Sequence, residues 1–241
     1  MSLLLLPLGI LLGPVLHHLA VRSAIHAPFN RGIPACESCG RDLPFLGLTQ
    51  ARCKGCGTRP QNLRWLVGLV AGIGMWAAWY AVGWTAVLPG FLVFAATTAV
   101  LFFADLDKMI IPNRIIYPGG LTATVLLGIG AGWMGLIRFF WQGLLAGLVY
   151  FLVFFGVFMV ARGGFGFGDV RLAALLGTFT GFLSWTYFLA AIFYTGMAGG
   201  VVALIALLAG KGRKFRLPYG PLMILGAWAS FVFARLLVNG V

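Results

Sequence analysis

The chain has 241 residues and a mean hydropathy of +1.00; 61% of its residues are hydrophobic and only 9% are charged. A soluble domain carries roughly 25% charged residues, so this composition excludes an ordinary cytosolic enzyme and a disordered basic protein. The formal net charge is +12, but the 17 basic residues stand between apolar stretches rather than in one patch. We therefore expect a lipid bilayer as the partner of these charges, and no nucleic acid.

The hydrophobic residues form eight stretches, which predict an all-α polytopic membrane protein with eight transmembrane helices. In chain order the stretches are 3–20, 66–84, 86–104, 115–133, 139–161, 172–185, 187–208 and 222–237. Most have the roughly 17–25 residues that a spanning helix needs, whereas the sixth is shorter, either as a short or tilted span or as one that continues back to Asp169. A polar segment divides the chain into a first helix (1–22), a loop (23–63) and a seven-helix membrane domain (64–241).

The basic residues of the loops alternate from one side of the predicted membrane to the other. Alternate loops hold 15 basic residues, and the loops of the opposite side hold 2. The positive-inside rule then places the loop 23–63 in the cytoplasm and both chain ends outside. A cleaved signal peptide is the alternative for 1–20, but no basic residue precedes Arg22, so we favour a retained helix.

The loop 23–63 contains two Cys-x-x-Cys pairs. They are Cys36 with Cys39 and, after 13 intervening residues, Cys53 with Cys56. Four thiolates at this spacing can hold one tetrahedral zinc in a small, zinc-ribbon-like loop. Two disulfides are the alternative, but the charge pattern places the loop in a reducing compartment. Four cysteines fill the coordination shell, so the predicted zinc is structural rather than catalytic.

Two aspartates border long apolar stretches at the predicted cytoplasmic surface. Asp105 follows the third stretch and Asp169 precedes the sixth. Two carboxyl groups that meet can share a proton, so that one activates water while the other polarises a peptide carbonyl. Asp105 and Asp107 point about 200° apart on a helix, so only one can face Asp169. Because Asp105 follows an unbroken apolar run, we expect it to be the buried one.

A purely structural interpretation of these acids is also open. In it the aspartates pair with Lys108, Arg114 and Arg171, or Asp169 caps the sixth helix. The glycine run 163–168 would then be a flexible loop, and it does not match a dinucleotide-binding fingerprint. The residues alone leave both interpretations open.

At these residues the sequence resembles the type IV prepilin peptidases, which are GxGD aspartyl proteases of the bacterial inner membrane. The matching elements, in chain order, are the two cysteine pairs, Asp105-Leu106-Asp107 with Ile111-Pro112-Asn113, Gly166-Phe167-Gly168-Asp169, and Leu217-Pro218-Tyr219-Gly220-Pro221. The resemblance implies that Asp105 and Asp169 are catalytic. It also implies that Gly166, Gly168, Asp107 and Pro112 belong to the active-site or substrate loop.

The resemblance further implies a substrate and a second reaction. The family removes the leader of type IV prepilins or type II secretion pseudopilins on the cytoplasmic side, and many members then methylate the new N-terminus with S-adenosylmethionine. Here His17 replaces a family asparagine, and no glutamate stands near the start of the second helix, where Gly68 is the nearest equivalent. These departures favour proteolysis over methyl transfer, so a peptidase without methyltransferase activity is the alternative.

A membrane transporter or assembly factor is the competing class without enzymatic activity. Transporters often place their acids near the middle of the membrane, in repeated halves. The acids here lie at one predicted surface, and the sequence shows no internal repeat, which argues against that class.

Overall fold

A computed structural model of the chain describes residues 5–24, 55–57, 64–160, 166–209 and 218–239, and the regular structure within these ranges is helical. The helices are α1 Leu5–Ala24, α2 Arg64–Val82, α3 Leu88–Lys108, α4 Asn113–Trp133, α5 Ile137–Val160, α6 Phe167–Leu183, α7 Trp185–Leu208 and α8 Tyr219–Asn239. Each predicted stretch falls on one helix. The prediction of an all-helical chain is therefore confirmed for the described residues.

Five of these helices are long and apolar enough to cross a membrane. These segments are Trp65–Val82, Leu88–Lys108, Asn113–Trp133, Ile137–Val160 and Trp185–Ile205. Long apolar side chains on their surfaces are exposed, as expected of a protein whose surface faces lipid. The chain is thus an integral membrane protein, while the count of eight spans stays a prediction.

Helix α6 begins five residues before the stretch that was predicted for it. It runs from Phe167 and includes Asp169 in its first turn. Charged residues interrupt an apolar run, but an acidic residue suits the first turn because free amide groups and the helix dipole attract negative charge there. The early start places Asp169 on the helix itself rather than on the loop before it.

Only Ser184 separates α6 from α7. Its backbone is extended (φ −177°, ψ 169°), and its side chain accepts a hydrogen bond of 3.4 Å from the Tyr187 amide. The serine therefore ends α6 and caps α7 with one residue.

An aromatic cluster packs α3 against α6 and α8. Phe94 stacks on Phe179 with ring centroids 4.3 Å apart, and Phe91 meets Phe179 and Phe231 edge to face. Phe91, early in α3, also contacts Phe182, late in α6, so the two helices run antiparallel. The end of α3 and the start of α6 consequently lie on the same side of the molecule.

Glycines on α5 allow its backbone to approach α6 closely, and we call this contact the α5–α6 seam. A β-carbon at Gly143 would lie 2.6 Å from the Thr178 carbonyl oxygen, and one at Gly147 would lie 2.7 Å from that of Ala174. Lipid offers no hydrophobic driving force between helices, so such close packing is what holds them together. The seam fixes the position of α6.

Candidate active site

Asp105 is buried at the last turn of α3. Its residue is only 5% exposed, and its carboxylate accepts a hydrogen bond of 3.1 Å from the amide of Gly220. A buried carboxylate without a donor would be costly, so this bond meets a requirement of the site. A β-carbon at position 220 would lie 2.8 Å from Asp105 Oδ2, which means that only glycine fits without displacing the carboxylate.

Asp169 lies half-buried in the first turn of α6. Its carboxylate accepts a hydrogen bond from the Gly166 amide, and its own amide donates to the Gly166 carbonyl at 3.1 Å. The side chain thus reaches back to the residue before the helix, as in one half of a capping box. The capping role foreseen for Asp169 is present, and it fixes the direction in which the carboxylate points.

Ile111 joins the surroundings of the two aspartates. A β-carbon at Gly168 would lie 2.9 Å from Ile111 Cβ, and one at Gly220 would lie 3.5 Å from Ile111 Cδ1. The end of α3, the start of α6 and the start of α8 therefore converge on one buried isoleucine. Asp105 and Asp169 are close enough for their charges to interact.

Tyr219 lies at the same place, next to Gly220. Its hydroxyl interacts electrostatically with Asp169, and its ring packs against Phe154 at a centroid distance of 6.1 Å. Gly199 of α7 lies against the same ring. The first two residues of α8 thus interact with both carboxylates. Tyr219 interacts electrostatically with Asp169, and Gly220 donates a hydrogen bond to Asp105.

Asp107 lies outside this convergence. Its side chain is 55% exposed and pairs with Lys108 at 3.3 Å. This is the geometry that helical periodicity predicts for two residues on opposite faces. The ion-pair interpretation therefore describes Asp107, whereas Asp105 is bonded to a backbone amide.

The loop between α3 and α4 is short and tightly turned. Met109 takes a left-handed conformation (φ 52°) and donates its amide to the Asp105 carbonyl at 2.8 Å. Pro112 is buried and extended, and its carbonyl accepts from the amides of Ile115 and Ile116 at the start of α4. Pro112 thus shapes the turn that carries Ile111.

Arg171 bonds to partners other than the one that was considered for it. Its guanidinium donates to the side-chain oxygen of Asn113 and to the Phe167 carbonyl at 3.3 Å. The rings of Tyr117 and Phe167 lie 5.6 Å and 4.9 Å from its central carbon. The expected pairing of Arg171 with Asp169 is replaced by this set of contacts.

Three of the four predicted zinc ligands, Cys36, Cys39 and Cys53, lie outside the described residues. Cys56 is described and exposed. Within the described ranges, His, Cys, Asp and Glu side chains form no group of three that could hold a metal ion. The zinc site therefore stays a prediction from spacing.

Sequence reasoning missed the roles of Gly220, Tyr219 and Ile111. Each lies in a segment that was recognised as a family element, but none was assigned to the site. The contact between residues 105 and 220 joins distant parts of the chain, so no local sequence pattern predicts it. A glycine directly before a proline at the start of an apolar helix was the available signal.

Part of the chain matches a known peptidase family. The sequence profile of the type IV leader peptidase family matches residues 92–204, a range that includes Asp105 and Asp169 but not α8. No solved structure gives a significant match to the chain.

Curated relatives match over most of the chain. A prepilin leader peptidase/N-methyltransferase of Myxococcus xanthus is 32% identical over 219 residues, which cover 86% of this chain and 64% of the relative. A protein of the same name from Bacillus subtilis is 25% identical over 242 residues, covering 96% and 94%. The one from Aeromonas hydrophila is 26% identical and covers 86% and 74%. The chain thus spans just under two thirds of the Myxococcus relative and nearly all of the Bacillus one.

The two glycines before Asp169 are expected to respond differently to substitution. Gly168→Ala forces a β-carbon against the stiff, β-branched Ile111 and should cost roughly 1–3 kcal/mol of stability, as overpacking does. Gly166→Ala meets nothing closer than 3.4 Å, in a backbone conformation open to alanine (φ −85°, ψ 141°). Thermal unfolding in detergent measures both. Equal melting temperatures for the two variants would contradict the tight contact at Gly168.

Proposed function

Because residues 92–204 match the type IV leader peptidase family, we propose that the chain is a membrane aspartyl endopeptidase that removes the leader peptide of type IV prepilins or type II secretion pseudopilins. The observation that carries the proposal is the convergence of Asp105 and Asp169 at one end of the helical bundle. Each carboxylate has a backbone amide donor of its own, from Gly220 and from Gly166. Two carboxyl groups in electrostatic contact are the arrangement that aspartyl proteolysis needs.

The chemistry uses a single proton shared by the pair. The ionised carboxyl takes a proton from water as the water oxygen attacks the scissile carbonyl, and the protonated carboxyl donates a hydrogen bond to that carbonyl oxygen. When the C–N bond breaks, the leaving amine takes up a proton from the pair. The amide donors hold the carboxylates in position, and the titration belongs to the pair rather than to either residue.

We assign a positioning role to the start of α8. The Gly220 amide holds Asp105, and the Tyr219 hydroxyl interacts with Asp169, so a single turn of helix aligns both groups. Gly166, Gly168 and Pro112 shape the loops around the pair. Asp107 is proposed to lie at the rim, where it is solvated.

The proposed location is the bacterial inner membrane, with the site at the cytoplasmic face. The positive-inside pattern supports this orientation, because the basic loop between α3 and α4 and the start of α6 lie on the side predicted to be cytoplasmic. The leader would then be cut before its apolar segment leaves the membrane.

The names of the relatives include N-methyltransferase, and S-adenosylmethionine is the methyl donor that this activity would need. The N-terminal helices, where the sequence departs from the family, are packed closely: a β-carbon at Gly9 would lie 2.3 Å from Gly72 Cα. This contact leaves no room for a cofactor between α1 and α2 at that level. We propose the peptidase activity, and methyl transfer stays a prediction that rests on the names of the relatives.

The two carboxylates should be jointly essential for cleavage. We expect Asp105→Asn and Asp169→Asn each to lower the rate by about 10²–10⁴-fold, because each removes one half of the acid–base pair. The measurement is leader removal from a prepilin and a pseudopilin by the purified protein in lipid, followed by gel electrophoresis.

Asp107→Asn is the matched control, since it removes a neighbouring but exposed carboxylate. It should leave cleavage within a small factor of wild type. Full activity of either Asp105→Asn or Asp169→Asn would remove the pair from the mechanism. An inactive wild type against several substrates would favour the transport or assembly interpretation.

Gly220→Ala should lower activity, because the added β-carbon displaces a carboxylate oxygen of Asp105 from the reacting geometry. We expect a loss of roughly 10²-fold in kcat together with a lower melting temperature, since the hydrogen bond to the buried carboxylate is weakened. Gly200→Ala on the exposed face of α7 is the control, because its β-carbon meets nothing within 4 Å. An unchanged kcat in Gly220→Ala would show that the amide of residue 220 does not position the pair.

We also propose a structural zinc held by Cys36, Cys39, Cys53 and Cys56. Protein purified without added metal should contain about one zinc per chain, because four thiolates complete a tetrahedral shell. Elemental analysis with thiol titration checks this. Chains that hold reduced thiols and no metal would contradict the assignment, and Cys36→Ser with Cys39→Ser should lose the metal.

A further inference from the structure

A narrow groove runs between α4, α5 and α6, and we call it the α4–α6 groove. Its volume is about 340 Å³, and it is open along one side. Its walls include Gly120, Leu121, Leu144, Phe151 and Leu175, all without charge. Leu121 is 68% exposed on a helix long enough to span the membrane, so the open side faces lipid.

The dimensions of the groove suit an extended hydrocarbon chain. On α4 it extends from Ile116 to Thr124, which corresponds to about 12 Å at 1.5 Å per residue. One leaflet of the hydrocarbon core is about 15 Å thick, so this length matches most of one extended acyl chain.

An extended peptide fits the groove poorly for a chemical reason. Its backbone amides and carbonyls would need hydrogen-bond partners inside a membrane. The hydroxyl of Thr178, which lines the groove, already donates to the Ala174 carbonyl. An acyl chain has no such requirement.

The end of the groove next to the aspartates carries a positive charge. Among the described residues that line the groove, Arg171 is the charged one, and it lies with Tyr117 at this end. Its guanidinium donates one hydrogen bond to the side chain of Asn113 and one to the Phe167 carbonyl. The other N–H groups of the five remain for another acceptor. A fixed guanidinium flanked by aromatic rings at a membrane surface is well suited to a phosphate.

We propose that the α4–α6 groove binds one anionic phospholipid, with an acyl chain along the groove and the phosphate on Arg171. One cation matches one net negative charge, whereas a zwitterionic headgroup brings a second cation to the same place. The site lies beside Asp169 but does not use it. The proposal is therefore independent of the peptidase activity.

Native mass spectrometry of the full chain, titrated with dioleoyl phosphatidylglycerol, tests whether lipid binding requires the positive charge of Arg171. We expect one tightly bound lipid on the wild type and binding about fivefold weaker in Arg171→Gln, with Arg171→Lys closer to wild type. Arg138→Gln removes a cation near the start of α5, far from the end of the groove that Arg171 occupies, and it should not change lipid binding. Wild-type affinity in Arg171→Gln, or an equal loss in Arg138→Gln, would overturn the proposal.

A second variant tests whether the acyl chain of the lipid lies in the groove, and it remains informative if Arg171→Gln unfolds. Thr124→Trp fills the groove while leaving Arg171 in place, and it should weaken phosphatidylglycerol binding. Glycerol phosphate, which has the headgroup charge but no acyl chain, should not displace the lipid. Wild-type binding by Thr124→Trp, displacement by glycerol phosphate, or equal affinity for dioleoyl phosphatidylcholine would each overturn the proposal.

Discussion

A buried carboxylate needs a hydrogen-bond donor, and the amide of Gly220 meets this need for Asp105. The bond joins the end of α3 to the start of α8, which are 115 positions apart in the chain. It is feasible because residue 220 has no side chain to occupy the space of the carboxylate oxygen. Much of the local architecture follows from this contact, since α8 must begin where α3 ends.

The meeting of the end of α3 with the starts of α6 and α8 explains where small and branched residues lie around the site. Ile111 fills the space between the helix that starts at Phe167 and the helix that starts at Tyr219, and Gly168 and Gly220 leave room for it. The turn that carries Ile111 is set by the left-handed Met109 and the extended Pro112. The packing at Ile111 and the hydrogen bond to Asp105 therefore both depend on the absence of a side chain at Gly220.

Apolar length and helical periodicity predicted much of this molecule. Each helix was expected from its apolar stretch. The 200° separation predicted that only one of the two aspartates is buried, and the apolar run before Asp105 predicted which one, as is observed. Hydropathy drops at Asp169, so the apolar stretch alone began later, but the expected extension of the sixth helix back to Asp169 is observed, because a helix tolerates an acid in its first turn. The contacts of Gly220 and Arg171 could not be predicted, because they join segments whose proximity depends on the whole fold.

Because Ser184 alone links α6 to α7, a tilt of α6 about this end would displace the opposite end of the helix the most. Asp169 lies 14 residues from Leu183, or about 21 Å along the axis, so a tilt of about 5° about the Ser184 end would move the carboxylate by about 2 Å. The α5–α6 seam opposes such a tilt at Gly143 and Gly147, the former close to the fixed end. A larger side chain at Gly143 or Gly147 is therefore expected to shift Asp169, which lies at the other end of α6.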